Sequence, residues 1–461
     1  MSTADTTRAS VGARTSTFGE FFKVWLKIGL INFGGPAGQI ALMHQELVER
    51  RRWLSESRFL HALNYCMLLP GPEAQQLAVY VGWLLHRTLG GLVAGILFVL
   101  PGSLLMLSLS WAYAVHGSIP WVAAIFFGLR ASVVAIVAAA VLRLGSRALR
   151  HPALATIAAL AFAGIFLLRA PFPLLVLGAG LVGLIGGRLA PHAFQPPAHA
   201  PAASGGEAIH GDDDDAPEHA HPTLRRSAAV LAVGLAAWWG PLAMLIAWRG
   251  TDDVLAREAT FFSGAAMVTF GGAYAVLAYI QQAAVERFGW LLPGQMLDGL
   301  GLAETTPGPL ILVTQFVGFL GAYRNPGDLA PIAAGILGAA VTTWATFAPC
   351  FLWIFLGAPY IERLRGNRAL GSALAAVTAA VVGVVLNLAV TFGLRALFGT
   401  VRDVAAGPLH LLVPEIGSID LGATAIALIA FLGMKYRRWE VLPVVLCSAV
   451  AGLLLRLIAA G

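Results

Sequence analysis

The sequence predicts an all-α polytopic membrane protein of two inverted repeats with broken or re-entrant helices. Three observations predict it: a charge density too low for a water-facing surface, sequence blocks that recur in register, and opposite charge bias at matched loops. Of 461 residues, 58% are hydrophobic and 12% are charged, and the mean hydropathy is +0.77. Ordinary domains carry about 25% charged residues. Half that density leaves most of the surface facing lipid.

The net charge of +6 comes from 27 Arg and only three Lys, Lys23, Lys27 and Lys435, placed mainly at the ends of apolar segments. That is charge that sets topology. A nucleic-acid reader would gather it on one polar stripe with interleaved aromatics, and no such stripe exists. Cys66, Cys350 and Cys447 stand alone in apolar runs without C-x-x-C spacing, so they read as buried thiols rather than a disulfide frame or zinc site. No metal ligand set and no cofactor motif is expected. Residues 1–17 form a polar tail, and Lys23 and Lys27 inside the first apolar stretch argue against a cleaved signal peptide.

Residues 18–189 make the first repeat and 226–461 the second, which opens with one additional, inverting span. Residues 190–225, rich in Pro, Ala, His and Asp, cannot bury a core and are expected to be a disordered linker. His192, His199, His210, His219 and His221 beside Asp212 to Asp215 could chelate a metal loosely, but a polar tether is the commoner reading.

Shifting the chain by 237 residues matches Phe33-Gly34-Gly35 with Phe270-Gly271-Gly272, Val48-Glu49-Arg50 with Val285-Glu286-Arg287, Trp53-Leu54 with Trp290-Leu291, and Pro70-Gly71-Pro72 with Pro307-Gly308-Pro309. At a shift of 248, Pro101 meets Pro349 and Val133-Val134 meets Val381-Val382, so a loop near Tyr323 to Pro331 is longer by 11. Four blocks in register are not a chance outcome.

The apolar runs at 18–33, 36–49, 55–69 and 73–87 are too short to span about 30 Å of hydrocarbon, which takes about 20 helical residues. They read as half-helices parted at Gly34-Gly35-Pro36 and Pro70-Gly71-Pro72, where proline removes a donor and glycine admits positive φ. Full spans are expected near 92–116, 119–143, 152–169, 171–189, 227–249, 331–356, 370–398, 419–434 and 440–460. If the broken pairs cross the bilayer instead, the count rises to about 13. Arg50, Arg51 and Arg52 follow the first hairpin, against Arg287 alone in the second copy. Around Tyr113 to Pro120 there is no Lys or Arg, against Arg363, Arg365 and Arg368 in the second copy. Opposite bias at matched loops predicts inversion, with the N-terminus and linker cytoplasmic.

Irregular backbone at membrane depth survives only inside protein or beside a water-filled cavity, so the breaks mark the working site. A helix restarting at Pro36, Pro72 or Pro309 points free N–H groups and about half a positive charge inward, an arrangement that binds anions. The bland alternative is a set of kinks. Arg130 lies mid-span, where a charge costs about 2.5–3.5 kcal/mol, so it reads as an anion ligand or the partner of a carboxylate; its second-copy counterpart is Thr378. Glu304, three residues before Pro307, is a candidate proton carrier, and Glu73, directly after Pro72, is a second carboxyl that could equally serve its own helix dipole. Asn64, Gln75, Gln76, Thr305, Thr306, Thr314, Gln315 and Asn387 offer neutral donors for an oxyanion or for broken backbone. Glu49-Arg50 and Glu286-Arg287 read as hairpin anchors.

The blocks running from FGGPAGQIALMHQELVERRRWL through LLPGPEAQQLAVYVGW, and from VTFGGAYAVLAYIQQAAVERFGWL through GLAETTPGPLILVTQFVGF, resemble the two signature regions of the chromate ion transporter family, in its long bidomain form. The resemblance covers nearly all of the chain except the N-terminal tail and the linker. It implies export of chromate from the bacterial cytoplasm across the inner membrane, chromate resistance, and sulfate as a competing or exchanged anion. By motif it carries substrate contacts to Gly34, Gly35, Pro36, Pro70, Gly71, Pro72, Gln75, Gln76, Gly271, Gly272, Thr305, Pro307, Gly308 and Pro309, and includes Glu304; Arg130 falls where the family tends to be basic. A general sulfate or oxyanion transporter and a passive anion channel are the alternatives, and a homodimer is left open. Without a Walker loop or nucleophile elbow, no enzyme is expected.

Overall fold

The structure is a computed structural model and describes residues 17–117, 119–194, 223–270, 273–360, 368–407 and 409–460. Most of the polar tail, linker residues 195–222, Gly271, Gly272, Arg363 and Arg365 lie outside the described residues. The described residues are mainly helical, with one hairpin of two strands among them.

The first repeat opens with α1 (Phe18–Ile31), capped by the Thr17 hydroxyl, then α2 (Gly35–His44), which runs into a π-helical turn over Gln45–Arg50. Next come α3 (Glu56–Cys66), capped by Ser55, and α4 (Glu73–His116). α4 is interrupted at His86 (φ −133°) and Arg87 (φ 54°), so a short first arm precedes a long second arm. The expected half-helices therefore exist, ending close to the expected positions. α5 (Pro120–Ala148), α6 (Pro152–Leu168) and α7 (Phe172–Leu189) follow, with a short α8 (Pro191–Phe194).

After α9 (Leu224–Arg249) the order recurs: α10 (Val254–Met267), α11 (Ala273–Gln282) with its own π turn at Ala283–Arg287, α12 (Gln295–Thr305), α13 (Val313–Arg324), α14 (Pro331–Gly357) and α15 (Arg368–Leu397). β1 (Val401–Ala406) and β2 (Leu409–Pro414) then pair antiparallel in a segment without a first-repeat counterpart. α16 (Leu421–Arg437) and α17 (Val441–Ala460) close the chain. Arg169 after α6 and Arg438 after α16 both end 17-residue helices in the left-handed conformation, so the recurrence extends to the last two helices.

Seven of the described helices are long and apolar enough to cross a membrane. Large apolar side chains on them face outward, among them Leu177, Val233 and Met244 at 68–70% exposure, which fits lipid contact. α9, the odd helix, buries little beyond Trp238 and Leu242 and packs along α14.

The halves trade helices. α6 and α7 pack on α15 of the second repeat, while α16 and α17 pack on α5 of the first. Small residues permit the close approach: a Cβ on Gly128 would collide with the Ser448 carbonyl, and one on Gly383 with that of Ala158. One hydrophobic core accordingly runs through both repeats.

Candidate functional site

Each repeat is broken twice. Asn32 and Phe33 separate α1 from α2, with Gly34 at φ 91° and Gly35 at φ 68°, and Pro36 sits in the first turn of α2. Pro70-Gly71-Pro72 separates α3 from α4, with Gly71 at φ 127°, a conformation that excludes a side chain. In the second repeat Thr269 and Phe270 follow α10, and Pro307-Gly308-Pro309 leads through a short 3₁₀ turn into α13, with Gly308 at φ 103°.

The breaks meet across the halves. The Gly308 N–H donates to Asn32 Oδ1 at 2.5 Å, and Gln39 Nε2 donates to the carbonyls of Asn32 (3.0 Å) and Gly308 (2.5 Å). At the matching place the Gly71 N–H donates to the Thr269 carbonyl at 2.8 Å. Helices with an internal proline floor both junctions: Gly102, beside Pro101 of α4, has no room for a Cβ under the Pro307 carbonyl, and Gly71 lies against Cys350, beside Pro349 of α14. Each Pro-Gly-Pro turn is thus seated on the opposite repeat, which places the predicted glycines and prolines of the described residues at two linked junctions.

Polar groups there have spare capacity. Gln75 is completely buried and neither amide atom has a hydrogen-bond partner; Gln76 donates to the Pro70 carbonyl at 2.8 Å but its Oε1, like that of Gln39, has none. Buried amides are normally paired; the unpartnered nitrogen of Gln75 would stabilise water or a ligand oxygen, whereas the free Oε1 atoms of Gln76 and Gln39 can only accept from a donor such as water. Thr305 and Thr306 spend their hydroxyl protons on the carbonyls of Leu302 and Ala303, closing α12. Gln315 is bound reciprocally to Ser103, and Thr314 donates to the Ile311 carbonyl. Asn64 is exposed and apart from the junctions.

Arg130 has a carboxylate partner. Its Nε and Nη2 grip Asp298 at 2.6 and 2.7 Å, and the Tyr113 hydroxyl donates to the same carboxylate at 2.7 Å. Asp298 is wholly buried, whereas the Arg130 side chain keeps 42% exposure. Glu304 accepts a 2.7 Å hydrogen bond from Tyr274 and lies within electrostatic reach of Arg143. Glu73 heads α4, half-buried, near the Cys66 thiol. Arg143 in turn lines a cavity of about 750 Å³ together with Gly34, Gly38, Lys435, Arg438 and Glu440. Three cations against one acid give that cavity, which opens beside the first break, a net positive lining that attracts anions.

Sequence reasoning passed over several residues. Asp298, Asn32, Gln39 and Tyr274 are polar groups in largely apolar runs, the signal that could have found them. Glu258 of α10 is completely buried with both carboxyl oxygens unpartnered, tucked against Gly321 and Gly338, at the place held by Phe21 in the first repeat. Glu49 lies 3.2 Å from His44 Nδ1, and Arg50 pairs at 2.6 Å with the buried Glu46, which the sequence reading passed over and which also pairs with Lys27 at 2.7 Å. Glu286 faces Arg169 at 3.9 Å.

Comparison with known proteins gives a consistent result. The family model described as chromate transporter matches residues 19–184 and 257–453. The chain is 31% identical over 445 residues to a chromate transport protein of Pseudomonas aeruginosa, covering 95% of this chain and 92% of the relative. It is 30% identical over 383 residues to a probable chromate transport protein of Synechococcus elongatus (81% and 84%), and 27% identical over 395 residues to a chromate transport protein of Cupriavidus metallidurans (84% and 85%). No solved structure matches the chain. The family and these relatives are transporters, not enzymes. With both repeats matched, and helices apolar enough to make it a multi-pass membrane protein, the chain belongs to the chromate transporter family.

Proposed function

We propose that the protein is a secondary transporter that exports chromate from the cytoplasm across the bacterial inner membrane, in exchange for sulfate or coupled to protons. The observation that carries this reading is the reciprocal seating of the two Pro-Gly-Pro turns, beside a vestibule lined by Arg143, Lys435 and Arg438. A dianion is favoured outward by an inside-negative potential by about 4.6 kcal/mol per 100 mV, two charges at about 2.3 each.

The two repeats are inverted, with the N-terminus and linker in the cytoplasm. Three features support this: the opposite loop charge, the single odd helix α9 between the copies, and α1 and α10, which at 14 residues reach about 21 Å and fall short of a crossing. α1 with α2 and α3 with the first arm of α4 are then re-entrant hairpins whose tips hold the anion.

Backbone N–H groups at Gly34 and Gly35, the amide N–H groups of Gln75 and Gln76, and the Arg130 guanidinium are the ligands, while Gly71 and Gly308, whose own N–H groups hold the junctions together, let the turns approach the anion. Pro36, Pro70, Pro72, Pro307 and Pro309 fix the turns, Thr305 and Thr306 close α12 beside them, and Gly271 and Gly272 complete the set by motif. Glu304, paired with Tyr274 and near Arg143, carries the proton. Glu73 is the second carboxyl on the route.

Chromate flux in proteoliposomes with imposed pH and sulfate gradients tests the reading. Wild type should be accelerated by trans sulfate or respond to pH, Glu304→Gln should lose any pH response, and Arg130→Gln should lose flux. Wild-type behaviour in both variants would overturn the site assignment, and absence of chromate flux in wild type would overturn the function.

A further inference from the structure

The anion vestibule has a mate. Between α6, α11 and α15 lies a second cavity of only about 60 Å³, and the part of its lining on α6 and α15 stands at the repeat positions of residues that line the larger one. Arg169 stands where Arg438 does, Phe166 where Lys435 does, Asn387 where Ala139 does, and Thr391 where Arg143 does. The difference in volume has a visible cause. The β1–β2 hairpin, present in the second repeat alone, brings Asp403, His410 and Leu412 into the small cavity.

The hairpin also supplies negative charge. The Asp403 carboxylate pairs closely with the Arg169 guanidinium, Glu286 approaches the same group at 3.9 Å, and His410 Nδ1 lies 3.5 Å from Asp403. Meanwhile Arg395, which lines the cavity from α15, has a buried Nε with no hydrogen-bond partner. Two carboxylates on one arginine reproduce the charge of a tetrahedral dianion, and an unpartnered guanidinium N–H beside them is a vacant donor for one.

We propose that this cavity is a second oxyanion site, the opposite mouth of the transport path, with Arg169 and Arg395 as its ligands and the hairpin carboxylates as stand-ins that an arriving dianion displaces. The proposal rests on the transport reading above for its place on a path, but not for its chemistry. Release of Asp403 from Arg169 is the step that opens the mouth, and the other vestibule closes in exchange.

The test uses the full-length protein in detergent, with Cys447→Ser removing the exposed thiol; Cys66 and Cys350 are buried. A cysteine is introduced by Thr391→Cys or, in the larger vestibule, Ala139→Cys, and its labelling by a charged thiosulfonate is timed with and without sulfate. Sulfate is the probe because chromate would oxidise the thiol. Asp403→Asn, or Glu286→Gln as a second way to free Arg169, should speed labelling at position 391 about threefold, the scale of one half-exposed ion pair. Sulfate should slow labelling at 391, and Arg395→Gln should abolish that protection. Protection by sulfate at 139 but none at 391 overturns the second site and leaves the transport reading intact. Protection at 391 in a protein that moves no chromate upholds the site and overturns the transport reading. Labelling at 391 that neither carboxylate variant speeds overturns the displacement by the hairpin.

Discussion

Asp298 and Arg130 make a sharp residue-scale prediction. Asp298 has no exposed surface, and its charge is met by Arg130 and the Tyr113 hydroxyl. Removing one partner of such a pair leaves a buried charge and costs about 3–5 kcal/mol. Arg130→Gln should therefore lower the melting temperature of the purified protein, and Asp298→Asn added to it should restore much of the loss. A double variant no more stable than Arg130→Gln alone would show that the carboxylate is relieved elsewhere. Half of this pair was legible in the sequence. A mid-span arginine announces a partner, but the partner sits in another repeat, 168 positions away in the chain, and only packing brings it near. Glu304 was legible by its place before Pro307, whereas Tyr274, which bonds it, was not, because an aromatic in an apolar run looks like core.

At the scale of elements, the breaks were readable because their cause is local. Proline and glycine interrupt helices by their own covalent geometry, so the breaks at Gly34-Gly35-Pro36 and Pro70-Gly71-Pro72 could be placed without knowing their neighbours; the interruption of α4 at His86 and Arg87, which involves neither residue type, ends the first arm where the apolar run ends. The β1–β2 hairpin was not readable, since Val401 to Pro414 is a short stretch of small and aliphatic residues between two apolar spans. How the turns interlock was also beyond sequence. That interlock predicts Gly102→Ala to be costly, because its methyl would strike the Pro307 carbonyl; overpacking of this kind costs about 1–3 kcal/mol. Gly308→Ala should lose a similar amount to strain at φ 103°. Gly264→Ala, in α10 with nothing within 4 Å, is the control and should match wild type. Thermal melts and chromate flux read all three; equal behaviour of Gly102→Ala and Gly264→Ala would mean that the junction yields freely.

For the whole molecule, traded helices make the halves mutual supports. Cutting the chain within residues 195–222 and producing both pieces in one cell should give two fragments that co-purify through a tag on either and together move chromate. Either piece alone should be degraded, since α5 or α15 then lacks the helices that cover it. A single piece that purifies as a monodisperse species would argue against this dependence. Recurrence of sequence blocks made the two copies visible in advance, and charge bias supplied the expectation of opposite orientations. Nothing in a linear repeat says which copy a terminal helix will join.

That crossing-over sets a timetable for biosynthesis. The ribosome finishes α5 long before it starts α16 and α17, so the first repeat waits, one flank open to lipid or chaperone, until the final segments arrive. A premature stop after Leu397 would thus cripple the portion made earliest and leave α15 from the later portion with its α6 and α7 covering in place.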